Sequence, residues 1–253
     1  MRRVPSPSPC LLLLFPVLAW AGPFGQAQQH FVRYRDALAG EGSGIERAFR
    51  VAGSTWPPPG IFVRAFKAEG ELELWAAPPR GGARWVRVRT FEICASSGAL
   101  GPKTFQGDLQ VPEGFYHIDR FNPTSAFHLS LGLNYPNRSD RARTPRGVVP
   151  GGDIFIHGGC ATIGCLPLRD APISTLYVAA VAAHDAGQAR IPVHVFPCRM
   201  DRPTCVLTLV KAAAGDATKM MFWEGLRPGF EAFEATGVPP SMRAEADGSY
   251  TRR

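Results

Sequence analysis

The chain has 253 residues, enough for one large domain or one domain with extensions and for a real hydrophobic core. Hydrophobic residues make up 45% and charged residues 19%, which excludes wholesale disorder. One residue in five is glycine or proline (27 and 24), which favours short strands, turns and ordered loops over a helical bundle. The net charge of +7 comes from scattered basic residues, so no nucleic-acid arm is present; a mildly basic surface suits an anionic polymer.

The first 21 residues read as an export signal. Arg2 and Arg3 form a positive start, Leu11 to Leu14 with Phe15, Val17 and Leu18 an apolar run, and Ala19-Trp20-Ala21 an A-x-A-like cleavage site. The run is short for a bilayer span, though an uncleaved anchor is the alternative. Cys10 lacks a lipid-attachment context. Cleavage removes Arg2 and Arg3 and takes the charge from +7 to +5. No later stretch is apolar for eighteen residues, so no stable membrane span is expected, and the location expected is the periplasm or cell envelope.

Cleavage leaves five cysteines: Cys94, Cys160, Cys165, Cys198 and Cys205. In an exported protein an odd number leaves at least one free thiol. Cys198 and Cys205 flank a Pro-containing turn and can bridge locally; whether Cys94 pairs with Cys160 stays open.

Residues 22–59 read as an N-terminal segment with one short helix over 26–50, ending in the rigid turn Trp56-Pro57-Pro58-Pro59-Gly60. Strand patterns follow at 61–67, 71–76, 86–94, 114–119, 126–131 and 153–157, with Gly/Pro/Asn-rich separators. This predicts a mostly β domain, sandwich or barrel-like, over 60–205. A helix interrupts it, with Asp170 as its cap, Pro172 in its first turn and Ile173, Leu176, Tyr177, Ala180 and Val181 at 3.6-residue spacing. A strand over 191–196 follows. Residues 206–253 form a C-terminal extension with a strand-like 206–210 and an aromatic cluster of Phe222, Trp223, Phe230 and Phe233.

The chemistry concentrates in residues 153–165, DIFIHGGCATIGC. A buried strand delivers His157 at its end, and a Gly-rich loop returns Cys165 eight residues later, just before the helix. A thiol needs a neighbouring base to become nucleophilic near neutral pH, and imidazole is the usual one. Gly164 permits a tight turn, and the N–H groups of Gly164 and Cys165 are candidate oxyanion donors. Three blander readings stand beside this one: a structural or disulfide-bonded Cys165, a zinc set of His157, Cys160 and Cys165, and a satisfied core His157. The zinc reading is disfavoured because the spacing fits no common zinc pattern. No metal is expected.

The His-Gly…Thr-Ile-Gly-Cys arrangement resembles the signature of L,D-transpeptidase (YkuD-type) catalytic domains. The compact IHGGCATIGC resembles the YafK-like branch of murein L,D-transpeptidases. The stretches FEICASSGALGPKTFQGDLQVPEGFYHIDRFNP (91–123), FHLSLGLNYPNRSDRAR (127–143) and FWEGLRPGFEAFEATGVPP (222–240) agree with that branch, and the resemblance covers roughly 60–245. It implies peptidoglycan stem peptides as substrates and no cofactor, with Cys165 as nucleophile and His157 as base. Thr162 and Gly164 match the signature, and Gly158 follows the histidine as loop support. One departure is Leu166-Pro167 after the cysteine, where many members carry an arginine or asparagine.

The acylated thiol could pass its acyl group to another stem peptide, to a protein lysine, or to water; the last would detach a wall-linked lipoprotein. Candidate substrate contacts are Arg120, Asn122, His128, Asn134 and Tyr135, with structural roles as the alternative for His128 and Tyr135. Lys103 and Arg141 read as surface charges. A competing class is a catalytically silent wall-binding module; a thiol redox protein is disfavoured because no C-x-x-C is present.

Overall fold

The computed structural model describes residues 21–79 and 84–253, so the expected signal segment and part of the turn at 78–82 lie outside the described residues. In chain order the elements are α1 (Pro23–Gln28), α2 (Val32–Ala52), β1 (Ile61–Phe66), β2 (Glu71–Ala76), β3 (Val86–Glu92), β4 (Gly114–Asn122), β5 (Ser130–Leu133), α3 (Arg138–Arg143), β6 (Phe155–His157), β7 (Leu166–Pro167), α4 (Asp170–Asp185), β8 (Ile191–Phe196), α5 (Pro203–Ala213), α6 (Ala217–Thr236), β9 (Met242–Ala244) and β10 (Tyr250–Arg252).

Eight strands form one mixed sheet in the order β3-β2-β1-β8-β4-β5-β6-β7. The β1–β8 and β6–β7 pairs are parallel; the others are antiparallel. The sheet is curled. Just past β3, Cys94 N donates to Pro167 O of β7 at 3.1 Å, so its two edges meet. The disulfide Cys94–Cys160 fastens the same junction, and Cys198–Cys205 closes a short loop before α5.

β1 and β8 are apolar on successive residues because both faces of the sheet are covered. Ile61, Val63, Ala65, Ile191, Val193 and Val195 pack with α2 and α4. Phe66, Phe115 and Phe196 face Phe222, Trp223, Leu226 and Phe230 of α6. Residues 203–213 are helical, against the strand expected at 206–210. Pro203 opens that helix, and Cys205, Leu209 and Ala213 recur every fourth residue on its buried side. The expected boundary at 205/206 therefore falls inside α5. Three helices, not one or two, follow Cys165 among the described residues. The expected short N-terminal helix is two: α2 alone has 21 residues and buries Tyr34, Ala37, Ile45 and Phe49.

A buried ion cluster lies among β1, β2 and the chain after β8. Glu73 accepts from Arg64 Nη2 at 2.9 Å, Arg199 Nη2 at 2.9 Å and Trp75 Nε1 at 2.8 Å, and its side chain is fully buried. Burial raises the Glu73 carboxyl, but Arg64, Trp75 and Arg199 together outweigh it and hold it below the usual carboxylate range. Its stabilising contribution is therefore complete at neutral pH and is lost as pH falls through the folded value. Glu73→Gln is expected to cost about 3 kcal/mol, because the buried Arg64 loses its buried counter-charge and keeps only the partly exposed Glu234. Chemical denaturation at pH 7 measures this; an unchanged midpoint would contradict the role assigned to Glu73.

Candidate active site

β6 is three residues long and ends at His157, which is 3% exposed. The parallel register pairs Ile156 with Leu166 and His157 with Pro167. Cys165 therefore stands opposite Phe155, one step before the ladder. Strand side chains alternate, so Phe155 and His157 project to the same side of the sheet, and Cys165 sets its Sγ 3.4 Å from Phe155 N. Cys165 is the free cysteine among the described residues.

The imidazole is oriented by its own neighbour. His157 Nδ1 lies 2.6 Å from Gly158 O, and a carbonyl only accepts, so Nδ1 carries the proton and Nε2 is left with the lone pair. The Phe127 ring lies against His157, with centroids 4.8 Å apart. Burial pushes the imidazole below its ordinary value, only partly offset by the Gly158 bond. The thiol is likewise neutral. Burial raises Cys165, with the Phe155 N–H and the Lys103 cation opposing. Its Sγ accepts from Phe155 N at 3.4 Å and donates to Asp153 O at 3.6 Å, so the thiol keeps its proton and points it at a backbone carbonyl.

Gly158 must be glycine. An added Cβ would sit 2.6 Å from Asp170 Oδ1 and 2.7 Å from Phe127 O. Its N–H donates to Phe127 O and Leu129 O, at 3.0 and 3.1 Å, so both sides of this peptide are pinned. Gly164 has φ 136°, and a Cβ there would meet Gln110 O at 3.0 Å. Thr162 ties the turn: its Oγ1 accepts from Cys165 N at 2.8 Å and Gly164 N at 3.2 Å and donates to Cys165 O at 2.9 Å. The two N–H groups expected as oxyanion donors are thus held by the Thr162 hydroxyl in the free protein.

The other candidates separate. Arg120 lies on the Phe155 side of the sheet, with its guanidinium 4.9 Å from the Phe155 ring centroid and Nη1 on Asp153 Oδ1 at 2.8 Å. His128 is tied to α4 through Ser174 Oγ at 2.8 Å. Asn134 accepts from His117 N, and Tyr135 donates to Pro150 O at 3.0 Å; both line a separate groove with Arg138 and Arg141. Asn122 caps a local turn through Thr124 N. Lys103 is no surface charge: it is 5% exposed and its Nζ lies 2.5 Å from Asp108 Oδ1. Asp170 is not the cap of α4. Arg169 holds that position, while the Asp170 carboxylate accepts from Gly159 N at 2.9 Å and braces the loop.

Sequence reasoning missed the carbonyl of Gly158 and the Asp153 and Phe155 backbone contacts to the thiol, because main-chain atoms leave no residue-type signature. Among the described residues, no group of three or more His, Cys, Asp or Glu stands close enough to hold a metal, and no helix is long and apolar enough to cross a membrane.

The candidate site thus holds a neutral thiol against the backbone of Phe155 and Asp153 and, two residues along β6 from Phe155, a neutral imidazole oriented by Gly158 O. No family model matches the chain. "Putative L,D-transpeptidase YafK" of Escherichia coli K12 is 32% identical over 192 residues, covering 75% of this chain and 72% of the relative, and its O157:H7 counterpart matches to the same extent. The chain belongs to the YafK-like branch of the L,D-transpeptidase family. Among solved structures, the helical cell shape determining protein Pgp2 from Campylobacter jejuni aligns with a TM-score of 0.43 at 18% identity, over 74% of this chain and 73% of that one. Bd1075 of Bdellovibrio bacteriovorus aligns with a TM-score of 0.39 at 19% identity, over 58% and 51%.

Two outcomes test the site. Alkylation of Cys165 by iodoacetamide is expected to rise with pH along one curve, with its midpoint above the usual range for a free cysteine. A reactive plateau at neutral pH would instead mean a preformed thiolate–imidazolium pair. Gly158→Ala is expected to lower activity at least about 100-fold, because displacing Gly158 O frees the imidazole to adopt the wrong tautomer and orientation. Wild-type activity with an intact fold would remove Gly158 from the site.

Proposed function

We propose that the chain is an exported, cysteine-dependent peptidoglycan enzyme acting on stem peptides through a thioester. The observation that supports this reading is the His157 imidazole, held by Gly158 O at the end of β6, with the free Cys165 thiol against Phe155 N two residues along the same strand. Membership of the L,D-transpeptidase family supports the substrate class.

In this mechanism the substrate displaces the Cys165 thiol from Asp153 O, and rotation about Cα–Cβ turns it to His157. Nε2 takes the thiol proton as Sγ attacks the stem-peptide carbonyl. The S–C bond forms, the tetrahedral oxyanion collapses, and the C–N bond breaks. The departing amine takes the proton from the imidazolium, leaving a thioester on Cys165. An acceptor amine or water then adds to the thioester, gives a proton to Nε2, and releases the thiolate, which is reprotonated by the imidazolium. Oxyanion stabilisation by Gly164 N and Cys165 N requires Thr162 Oγ1 to yield them to the substrate. An amine acceptor makes the protein a transpeptidase. Water makes it a hydrolase able to detach a wall-linked protein. The buried neutral pair serves both.

Intact mass spectrometry after incubation with disaccharide-tetrapeptide muropeptides is expected to show an acyl adduct on the wild type and none on Cys165→Ala. The released products distinguish transfer from hydrolysis. Retained binding with neither adduct nor product would make the protein a silent wall-binding module.

A further inference from the structure

A single cross-strand row leads from Arg120 to the thiol. The register pairs Arg120 of β4 with Gly132 of β5, and Gly132 with Phe155 of β6. One step from the β6–β7 ladder, Phe155 faces Cys165. Arg120, Gly132 and Phe155 share one face of the sheet.

The second position in the row is bare, and it has to be. A Cβ on Gly132 would lie 2.8 Å from Arg120 Nε and 3.0 Å from Arg120 Cβ. The arginine therefore crosses its neighbouring strand through space that only glycine leaves, and its guanidinium stops against Phe155, 4.9 Å from the ring centroid. Phe155 in turn donates its N–H to Cys165 Sγ. Three strand spacings of ~4.8 Å put Arg120 and Cys165 about 14 Å apart at their Cα atoms, and the arginine covers roughly half of that. The remaining gap suits a group one residue from the reacting carbonyl.

Two carboxylates hold the guanidinium. Asp119 Oδ1 accepts from Nε at 3.1 Å and Asp153 Oδ1 from Nη1 at 2.8 Å; Nη2 takes part in neither bond. The Asp153 side chain is 81% exposed, and so exposed an ion pair is weak and readily exchanged. Asp153 also has φ 54°, an uncommon conformation outside glycine, which aims its carboxylate at Arg120 while its carbonyl meets Cys165 Sγ.

We infer that Arg120 is the carboxylate anchor of the Cys165 site: in the free protein Asp153 occupies the place that a substrate carboxylate takes on binding. The incoming carboxylate meets the Nη1 and Nη2 face, while Asp119 keeps Nε. Asp153 returns to water at little cost. This specificity role rests on Cys165 being the nucleophile, as proposed above, but not on the identity of the peptide.

The test uses the full chain and two thiol reagents of similar size, 3-maleimidopropionate and N-ethylmaleimide, at low salt. The wild type is expected to react with the anionic reagent about five- to tenfold faster, relative to the neutral one, than Arg120→Gln does, a ratio fitting one partly exposed charge contact. The N-ethylmaleimide rate should not change, which reports an intact site. Arg120→Lys should keep part of the preference. Asp153→Asn, whose side chain tolerates φ above zero, should increase it. Equal rate ratios in the wild type and Arg120→Gln, or no increase in Asp153→Asn, would overturn the inference. With muropeptides, Arg120→Gln should raise KM for the free acid and not for its C-terminal amide. If peptides are not processed while the reagent pattern holds, the proposed function fails and the anchor stands. If peptides are processed and the ratios do not move, the anchor fails alone.

Discussion

Everything at the candidate site hangs on a two-residue parallel pairing. β7 is only Leu166–Pro167, yet its pairing with β6 decides which face Cys165 occupies and how far it stands from His157. A slip of one residue would turn the thiol into the opposite layer. So short a strand cannot fix its own register. It is held from outside by Leu168 N on His157 O at 2.7 Å, by Cys94 N on Pro167 O, and by the Cys94–Cys160 bond. The Thr162 hydroxyl ties the turn that feeds it, and Asp170 reaches back from α4 to hold Gly159. The curled sheet is thus a device for clamping a loop from both ends.

Electrostatics at the two ends of the sheet differ in kind. Around Glu73, buried charges are paired on several sides, and the cluster settles the packing of β1 and β2 against the chain after β8. Around Cys165, burial acts on groups that stay neutral, which lowers the imidazole and raises the thiol. Neutral groups cost less to bury than charged ones.

Much of this was legible in the residues. The IHGGCATIGC run marked Cys165 and His157 as candidates, and the strands expected at 71–76 and 191–196 matched β2 and β8. The misses have particular causes. Val206 and Val210 carry strand propensity, but Pro203 starts a helix, and burial of Cys205, Leu209 and Ala213 against α6 overrides it. Asp170 looks like a cap because an acidic residue before Pro172 is a common helix start; the partner it chose, Gly159 N, is eleven residues back. Lys103 resembles any exposed lysine until the Asp108 turn closes over it. The role of Gly132 was invisible, since an absent side chain matters only once the register sets Arg120 beside it.

The disulfide pattern carries a consequence of its own. Cys160 has two thiols to choose from: Cys165, five residues away on the same loop, and Cys94, 66 residues distant. In an unfolded chain the short loop closes more readily, and that choice would consume the thiol of Cys165. Only the curl of the sheet, which brings Cys94 onto Pro167, reverses the preference. A free thiol at 165 therefore depends on the meeting of the sheet's edges, which gives Cys160 its partner in Cys94.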